Sequence, residues 1–370
     1  MKRTRVPVLV ALIVCLSSAA TAEPRWRLQY FHDELQSTLA LNDIKFPTPR
    51  RGLAVGTLHE ETSVKPVMVS TNDGGETWSI QKLKEYPVSL FFLNESLGWM
   101  ATDRGIWRTE EAGRSWSKVG SFTGILRVRF IDENRGFAVG SRKALLGTAN
   151  GGRTWSPLPV VQSIPTSTEN TVFSALDFLG ERYGLIVGWS RSPRGFASRF
   201  PDWMDPEAAS RRRELPATTI VVETRDAGVN WKPQVTSAFG RVSQVALSQT
   251  GAALSLIEFD QAFEWPSEVF FLDLRTGNSE RVFREKDRAV TGLLIDQLHT
   301  GYLAAIECSS TLHRSPIPGK LHILRSTGFK RWSEMRVDYR AVAHRATLTA
   351  AGTHVWVATD TGMILKLQNE

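Results

Sequence analysis

No group of residues in this sequence has the spacing typical of a metal or phosphate site. The seven histidines are scattered. Neither His-Glu-x-x-His nor Cys-x-x-Cys occurs, the spacings that place several ligands around one ion. No glycine-rich loop of the kind that binds phosphate is present either. The sequence therefore predicts no metal site and no cofactor.

The side chains best suited to binding another protein are concentrated in residues 189–218. Arginine and aromatic residues are interspersed there, and both types are favoured at the centres of protein interfaces. The partner-binding residues predicted on this basis are Arg191, Arg194, Arg199, Phe200, Trp203, Arg211, Arg212 and Arg213. The alternative is a partly disordered insertion in which acidic residues such as Asp202 and Glu214 offset the arginines. Both interpretations stay open.

The first 22 residues have the three parts of a secretory signal. A positively charged start precedes an apolar run at residues 6–16, and Ala20-Thr21-Ala22 matches an Ala-x-Ala cleavage site. The apolar run is too short to span a bilayer. We expect cleavage after Ala22, so that residues 1–22 are a signal peptide and residues 23–370 form the mature protein in the periplasm or outside the cell. Lipidation at Cys15 is the alternative, although Val14 is larger than the residue that precedes a lipidated cysteine.

Removal of that segment lowers the formal net charge from +7 to +4, because the segment carries three positive charges. So weakly basic a protein is not expected to bind nucleic acid. One cysteine, Cys308, would remain, so no internal disulfide can form and the fold must depend on its apolar core. We expect a monomer.

An eight-residue pattern occurs four times and organises the rest of the chain. The copies are T-N-D-G-G-E-T-W at 71–78, T-E-E-A-G-R-S-W at 109–116, T-A-N-G-G-R-T-W at 148–155 and T-R-D-A-G-V-N-W at 224–231. A worn copy, S-T-G-F-K-R-W, occupies 326–332. Repetition of this kind indicates a repeat architecture.

Each copy has the composition of a tight turn between two antiparallel strands. An Asp or Asn side chain accepts hydrogen bonds from backbone N–H groups just ahead of it. Glycine supplies a positive φ, and the tryptophan ring packs the turn against the sheet. The structural residues predicted on this basis are Asp73, Gly75, Trp78, Gly113, Trp116, Asn150, Gly152, Trp155, Asp226, Gly228 and Trp231. None of them is expected to be catalytic.

A second pattern precedes each copy. It is an apolar residue, most often Phe, followed six positions later by glycine and a short apolar run, as at Phe130 and Gly136. Together the two patterns predict a unit of four strands, here called A, B, C and D, with the eight-residue turn between C and D. The first three turn tryptophans are 38 and 39 residues apart, a spacing that suits one β-propeller blade.

We count seven such units and therefore predict an all-β, seven-bladed β-propeller. Six or eight blades stay open, because the second half of the chain is degenerate. Residues 25–30 alternate apolar and polar side chains, as a half-buried strand does. We expect this strand to pair with residues 362–368 and close the ring, since closure leaves no exposed strand edge.

The eight-residue pattern is the Asp-box, or bacterial neuraminidase repeat. Its combination with the Phe-Gly pattern resembles the photosystem II stability and assembly factor family, strongly over residues 39–156 and weakly after residue 235. The resemblance implies a seven-bladed propeller that is not an enzyme and that holds a membrane-protein subunit during assembly on the export side. It implies a mode of binding more than a particular partner.

A sialidase-like glycoside hydrolase is the alternative, because sialidases also carry Asp-boxes. Such an enzyme needs three arginines, a Tyr-Glu pair and an aspartic acid near the propeller axis. The sequence lacks the F-R-I-P string at which sialidases begin. Asp177 and Asp296 adjoin strand A and could face a channel, but we expect them to be solvated lining residues. We therefore predict no catalytic residues and no enzyme activity.

The expected topology assigns the binding face. In a four-stranded blade the A–B and C–D turns share one face, and the B–C loops lie on the other. The departures from the repeat are B–C loops at 57–66, 189–218, 258–266 and 307–320. Insertions in repeat folds commonly carry function. We expect the chain to act as an interaction scaffold that binds an envelope or membrane protein on the face opposite the Asp-boxes.

Overall fold

The computed structural model describes residues 24–191, 216–259, 265–308 and 317–368, together with Met204 and Glu207. The elements in these ranges are strands, apart from one 3-10 helix at Pro159–Ser163. No helix of the described ranges is both long enough and apolar enough to cross a membrane. The predicted all-β class is confirmed. The expected signal peptide, residues 1–22, lies outside the described residues.

The strands are numbered in chain order, beginning with β1 (Arg25–Phe31). The first sheet contains β2 (Ser37–Lys45), β3 (Gly52–Glu60), β4 (Ser63–Thr71) and β5 (Ser79–Lys82). The second contains β6 (Pro87–Phe92), β7 (Gly98–Thr102), β8 (Gly105–Thr109) and β9 (Ser117–Gly120). The third contains β10 (Ile125–Phe130), β11 (Gly136–Gly140), β12 (Leu145–Thr148) and β13 (Ser156–Pro157).

The fourth sheet contains β14 (Thr171–Leu179), β15 (Tyr183–Ser190), β16 (Ala217–Thr224) and β17 (Lys232–Ala238). The fifth contains β18 (Arg241–Leu247), β19 (Ala252–Glu258), β20 (Ser267–Asp273) and β21 (Ser279–Phe283). The remaining strands are β22 (Arg288–Ile295), β23 (Gly301–Glu307), β24 (Gly319–Ser326), β25 (Ser333–Val337), β26 (Val342–Ala343), β27 (Ala346–Ala351), β28 (His354–Thr359) and β29 (Met363–Gln368).

In each of the first five sheets, strands A to D pair antiparallel in chain order. This confirms the predicted four-stranded unit. The other strands form one larger sheet in the order β22-β23-β24-β25-β1-β29-β28-β27, with β26 paired to β24. That sheet consists of a further unit, β22–β25, joined to β27–β29 through β1.

The strand β1 joins the two halves of the larger sheet. It runs antiparallel to β29, with Trp26 opposite Leu367. It meets β25 in parallel at only two positions, Arg25 and Trp26. The ring of Trp26 is 1% exposed, and its indole N–H donates to the sulfur of Met335 at 3.4 Å. The two ends of the described chain therefore pair in one sheet, as the sequence predicts for residues 25–30 and 362–368.

One of the expected loop positions differs from the prediction. Residues 57–66 form no long loop, because β3 and β4 stay paired up to Glu60 and Ser63 and turn in two residues. The interval between Trp155 and Trp231 holds a single sheet, as expected, but its extra length is divided. One part is the segment with the 3-10 helix that precedes β14, and the other lies between Ser190 and Ala217.

The packing of these sheets explains why phenylalanine precedes glycine by six positions. The ring of Phe130, at the end of strand A, lies against the backbone of Gly136, at the start of strand B. A Cβ atom on Gly136 would be 2.5 Å from that ring. The same contact recurs for Phe46 on Gly52, Phe92 on Gly98 and Phe178 on Gly184. Any other residue would lift the ring off the sheet, since protein interiors leave no spare volume.

The other surface of each ring contacts the neighbouring sheet. Trp99, on β7, stacks on Phe130 with ring centroids 3.5 Å apart and an angle of 8° between the planes. The Asp-box tryptophan of the same sheet, Trp155, meets Phe130 edge-on at 5.8 Å. Phe130 is 2% exposed. One phenylalanine therefore joins strand A, strand B, the Asp-box turn and the preceding sheet.

We predict that Gly136→Ala destabilises the protein by about 1–3 kcal/mol, the usual cost of forcing an extra methyl group into a packed core. Thermal unfolding followed by circular dichroism measures the effect as a lower Tm. Gly328→Ala is the matched control, because a Cβ there meets no atom within 4 Å and its φ is not positive. Equal Tm values for the two variants would contradict the proposed role of the ring contact.

Candidate functional site

The Asp-box turns are held by a small hydrogen-bond network around one carboxylate. Asp73 Oδ1 accepts from the backbone N–H of Thr77 at 3.0 Å and from the Thr71 hydroxyl at 2.7 Å. Its other oxygen accepts from the Thr77 hydroxyl. The Thr71 Oγ1 atom in turn accepts from the N–H of Gly75 at 3.0 Å. These donors, first the Thr77 hydroxyl, hold the pKa of Asp73 well below its ordinary value.

The other copies keep this network with different side chains. Asn150 Oδ1 accepts from the N–H of Thr154 at 2.9 Å, and its amide donates to the Thr154 hydroxyl at 2.8 Å. Asp226 accepts from the N–H of Asn230 at 2.9 Å. Glu111 has a longer side chain and reaches the Ser115 hydroxyl at 2.7 Å. A neutral amide can therefore fill the position as well as a carboxylate.

The glycines of the turns are required for two reasons, their positive φ and their close contact with the preceding sheet. Gly113 and Gly228 have φ values of +78° and +79°, a region that side chains with a Cβ resist. They also face the preceding sheet: a Cβ on Gly113 would be 2.2 Å from Leu53, and one on Gly228 would be 2.1 Å from Phe137. Gly75 and Gly152 also have positive φ, +100° and +91°. The turns therefore contribute to contacts between sheets.

On the opposite face, a cavity of about 490 Å³ lies where strand A begins in several sheets. Residues from β2, β10, β14, β18, β22 and β27 line it together. Three arginines surround it, Arg127, Arg241 and Arg345, with Glu258 and Asp360 as the acidic side chains. We call this the cavity mouth. It has the charge and concave shape expected of a binding site.

The arginines of the cavity mouth have neighbours of two kinds. The guanidinium of Arg241 lies over the ring of Trp189, 5.4 Å from its centroid. Arg345 faces Glu258, with 3.6 Å between nitrogen and oxygen. Its side chain is still 66% exposed, so the ion pair is weak and screened. The side chains of Arg127 and Arg345 are exposed, so a carboxylate or a peptide carbonyl of a partner can reach them.

Polar side chains of the innermost strands hold the cavity together. Strand A has a β-bulge in each of the first five sheets and in the unit β22–β25. Three of the extra residues bond to the next sheet or unit. Asn42 donates to the carbonyl of Pro87 at 2.8 Å, Ser174 donates to that of Val242 at 2.6 Å, and Thr291 Oγ1 accepts from the N–H of Ala346 at 3.0 Å. Bulges re-aim side chains in this way.

Of the partner-binding residues predicted from the sequence, the structure describes one. Arg191 directly follows β15, and its backbone N–H donates to the carbonyl of Asn170 at 3.3 Å. The others, Arg194, Arg199, Phe200, Trp203, Arg211, Arg212 and Arg213, lie outside the described residues. Sequence reasoning missed the three arginines of the cavity mouth, because they occupy no constant position in the repeat.

The two aspartates considered as catalytic candidates have structural partners. Asp177 accepts from the backbone N–H of Phe178 at 2.9 Å and of Leu247, in the next sheet, at 3.0 Å. Asp296 is buried and accepts from the N–H groups of Leu298 and Thr300 in its turn. The expectation that these aspartates are solvated channel residues is therefore wrong: one links two sheets and the other closes a turn.

The described lining of the cavity mouth includes three arginines, the number that a sialidase site needs, but no tyrosine. Within the described ranges, no three His, Cys, Asp or Glu residues are grouped so that they could hold a metal ion.

Part of this chain is similar to part of the proteins in two groups of curated relatives. It is 29% identical over 133 residues to the photosystem II stability/assembly factor HCF136 of Arabidopsis thaliana, over 30% of this chain and 31% of that protein. It is 28% identical over 145 residues to the photosystem II assembly lipoprotein Ycf48 of Synechococcus sp. (strain CC9902), over 35% and 43%. The matches thus span less than half of these relatives. No family model matches the chain.

Two solved structures share the fold over nearly the whole chain. YCF48 bound to D1 peptide has a TM-score of 0.59 at 16% identity, covering 96% of this chain and all of that one. YCF48 from Cyanidioschyzon merolae has a TM-score of 0.57 at 17% identity, covering 94% and 99%. The resemblance to photosystem II stability and assembly factors is confirmed, and so is the β-propeller fold.

The Asp-box network predicts a pH dependence. Because the folded-state pKa of Asp73 is lowered, its contribution to stability is present above the unfolded-state pKa and is lost progressively as the pH falls from about pH 5 toward the folded-state pKa. Asp73→Asn can keep the hydrogen bonds that Asn150 makes but cannot titrate. Stability of this variant, measured by urea unfolding, should fall less steeply over that range.

Glu61→Gln, in the exposed turn between β3 and β4, is the control and should leave the slope unchanged. A slope for Asp73→Asn equal to that of the natural protein would contradict the role assigned to this carboxylate.

Proposed function

We propose that this chain is a non-catalytic, exported β-propeller that acts as an assembly scaffold by binding a protein of the envelope or membrane. The observation that carries the proposal is its similarity to proteins named as photosystem II stability and assembly factors. A structure with the same fold holds a D1 peptide. Export is supported by the signal pattern of residues 1–22, and one of the relatives is named a lipoprotein.

We propose further that the sheets form a closed ring of seven blades, in which β1 is the outermost strand of the seventh. Together with β1, strands β27–β29 make four strands, as in the first five sheets. The first and last sheets also meet directly, since Phe46 stacks on Trp356 with ring centroids 3.6 Å apart. The ammonium group of Lys366 donates to the carbonyl of Gly74 across the same junction at 3.2 Å.

The binding surface in this proposal is the cavity mouth together with residues 189–218. We assign both to the face opposite the Asp-boxes, because Trp189 lines the cavity and directly precedes Ser190, the last residue of β15. Exposed arginines beside an aromatic ring suit an acidic partner, and they would steer its approach. Among the features of a sialidase site, only the three arginines of the cavity mouth favour the sialidase-like alternative.

We predict that replacing residues 191–216 by a four-residue turn abolishes capture of the native partner and leaves Tm nearly unchanged. A short turn can join the strands because Ser190 and Thr218 are already paired, and surface insertions contribute little to stability. Affinity capture from native envelope extracts measures the binding.

Matched charge reversals separate the two faces. The variant Arg127→Glu with Arg345→Glu should weaken capture, whereas Arg114→Glu with Arg153→Glu, on exposed Asp-box positions, should not. Capture that survives loss of the segment, or that is lost only with the Asp-box reversals, would contradict binding on the face opposite the Asp-boxes. Hydrolysis of a sialoside by the unaltered protein would favour the enzyme alternative.

Ring closure gives a second prediction. Trp26→Ala should destabilise the protein by about 3–5 kcal/mol, because it removes a fully buried ring that contacts Tyr302 edge-on at 6.4 Å. Deletion of residues 23–31 should give an aggregation-prone protein, since β29 would keep β28 as a partner but expose its other edge. Size-exclusion chromatography and thermal unfolding test both variants, with Tyr339→Ala, 84% exposed, as control. A soluble, fully folded deletion variant would contradict closure.

A further inference from the structure

The third Asp-box contains the one Asn-Gly pair of the sequence, Asn150 and Gly151. In such a pair the backbone nitrogen of the glycine can attack the side-chain amide of the asparagine, because no Cβ atom hinders the approach. A bond forms between the glycine nitrogen and Cγ, the bond between Cγ and Nδ2 breaks, and ammonia leaves. Water then opens the resulting succinimide ring, so water is the only co-reactant. The pair is therefore a candidate site of spontaneous deamidation.

The Asp-box places two hydrogen-bond donors on the amide oxygen of Asn150. Its Oδ1 atom accepts from the Thr148 hydroxyl at 3.0 Å and from the Thr154 N–H at 2.9 Å. Donors at this position stabilise the negative charge that develops on the oxygen during attack on Cγ, as they do in an oxyanion hole. Asn150 is also only half-buried, so water can reach it. The side chain that is attacked is thus prepared for the reaction.

The attacking nitrogen, by contrast, is held back by a backbone hydrogen bond. The N–H of Gly151 donates to the carbonyl of Asn134, in the A–B turn of the same sheet, at 2.8 Å. We call this bond the turn clamp. The carbonyl of Gly151 accepts from the indole N–H of Trp99 at 3.2 Å, and Gly151 is buried. To react, the nitrogen must lose its proton and turn toward Cγ, and both bonds oppose this.

The turn clamp has an equivalent in each of the other three Asp-boxes. There the residue at the position of Gly151 also donates to an A–B turn carbonyl: Gly74 to Arg50 at 2.8 Å, Ala112 to Ser96 at 2.8 Å and Ala227 to Arg182 at 2.9 Å. In the third sheet the carboxylate of Asp132 holds the A–B turn, accepting from the N–H groups of Asn134 and Arg135 at 2.8 and 2.7 Å. The clamp therefore joins two turns that are each held by their own bonds.

We propose that Asn150 is a self-modification site controlled by the turn clamp. Deamidation is slow while the clamp is closed and proceeds when the A–B turn and the Asp-box separate. A reaction that needs such local opening follows the population of the open form. The modified chain then keeps a chemical record of how often these turns have opened. This inference concerns the Asp-box face and does not depend on the proposed function.

The two products of the reaction differ in how they fit the turn. Water that opens the ring at Cγ gives aspartate, the residue that the first and fourth Asp-boxes have at this position. Asp73 accepts from both the N–H and the hydroxyl of Thr77, and Thr154 can donate in the same way. Water that opens the ring at the backbone carbonyl gives isoaspartate, whose extra backbone carbon displaces the turn. The first product adds a negative charge and keeps the network.

The test follows position 150 by peptide mapping and mass spectrometry while the full chain is incubated in heavy-oxygen water at mildly alkaline pH. Uptake of heavy oxygen identifies conversions that occur during the incubation, and electron-transfer fragmentation separates the two products. We expect conversion roughly tenfold slower, or more, in the folded chain than in the chain unfolded in urea. Equal rates would overturn control by the clamp. An unfolded chain that keeps Asn150 intact would overturn the site itself.

Two variants separate opening of the turn clamp from unfolding of the whole protein. Asp132→Ala loosens the turn that contains Asn134 and should speed conversion severalfold in the folded protein. Asp296→Ala is the matched control, because Asp296 accepts from two N–H groups in the A–B turn of the unit β22–β25. It should leave the rate at position 150 unchanged. Equal acceleration by both variants would show that global unfolding governs the reaction, which would contradict the proposal.

Two further measurements do not require Asp132→Ala to fold. The Gly151 amide of the unaltered protein should exchange its hydrogen slowly, and exchange and deamidation should rise together when urea is added below the unfolding transition. Fast exchange at Gly151 beside slow deamidation would overturn the role of the clamp. The variant Asn150→Asp should keep the Tm of the unaltered protein near neutral pH. A large fall in its Tm would show that the aspartate product does not fit the turn.

Discussion

The contact on which the rest of the structure depends is a phenylalanine ring laid on a glycine backbone. At Phe130 and Gly136 the ring is so close that a single methyl group would displace it. The free side of the ring then stacks on Trp99 of the preceding sheet. Because the contact uses residues from strand A, strand B and a neighbour, it sets both the register within a sheet and the distance between sheets. Stacking of successive sheets follows from repeating it.

How much of this could be predicted depends on what the repeat preserves. The Phe-Gly spacing and the Asp-box can be recognised in the sequence because both positions tolerate few residue types. A ring packed on glycine leaves no space for a Cβ atom, and a turn with positive φ disfavours residues that have one. In the unit β22–β25 the contact differs, because Trp332 and Phe329, from the worn Asp-box, approach Gly301 instead. The polar links between innermost strands were not visible. Asn42, Ser174 and Thr291 make equivalent bonds with unlike side chains, since any short polar group at a bulge can reach the next backbone.

The two faces of the molecule differ in how far their residues take part in packing between sheets. The Asp-box face is built from glycines that also contact the preceding sheet, so substitutions there would disturb the packing. At the cavity mouth, by contrast, Arg127 and Arg345 are exposed and contribute little to the core. Such positions are free to serve recognition, and insertions at residues 189–218 leave the strands paired. In the proposed function, the ring-on-glycine framework holds the arginines of the cavity mouth in place for binding another protein.

The most direct test of this account is site-specific photo-crosslinking in native cells. A photoreactive amino acid would replace Arg345, at the cavity mouth, or Val229, which is 74% exposed in an Asp-box turn. Mass spectrometry would then identify the crosslinked proteins. The account predicts crosslinks to an envelope or membrane protein from position 345 and none from position 229. Crosslinks from position 229 alone, or equally from both positions, would contradict it.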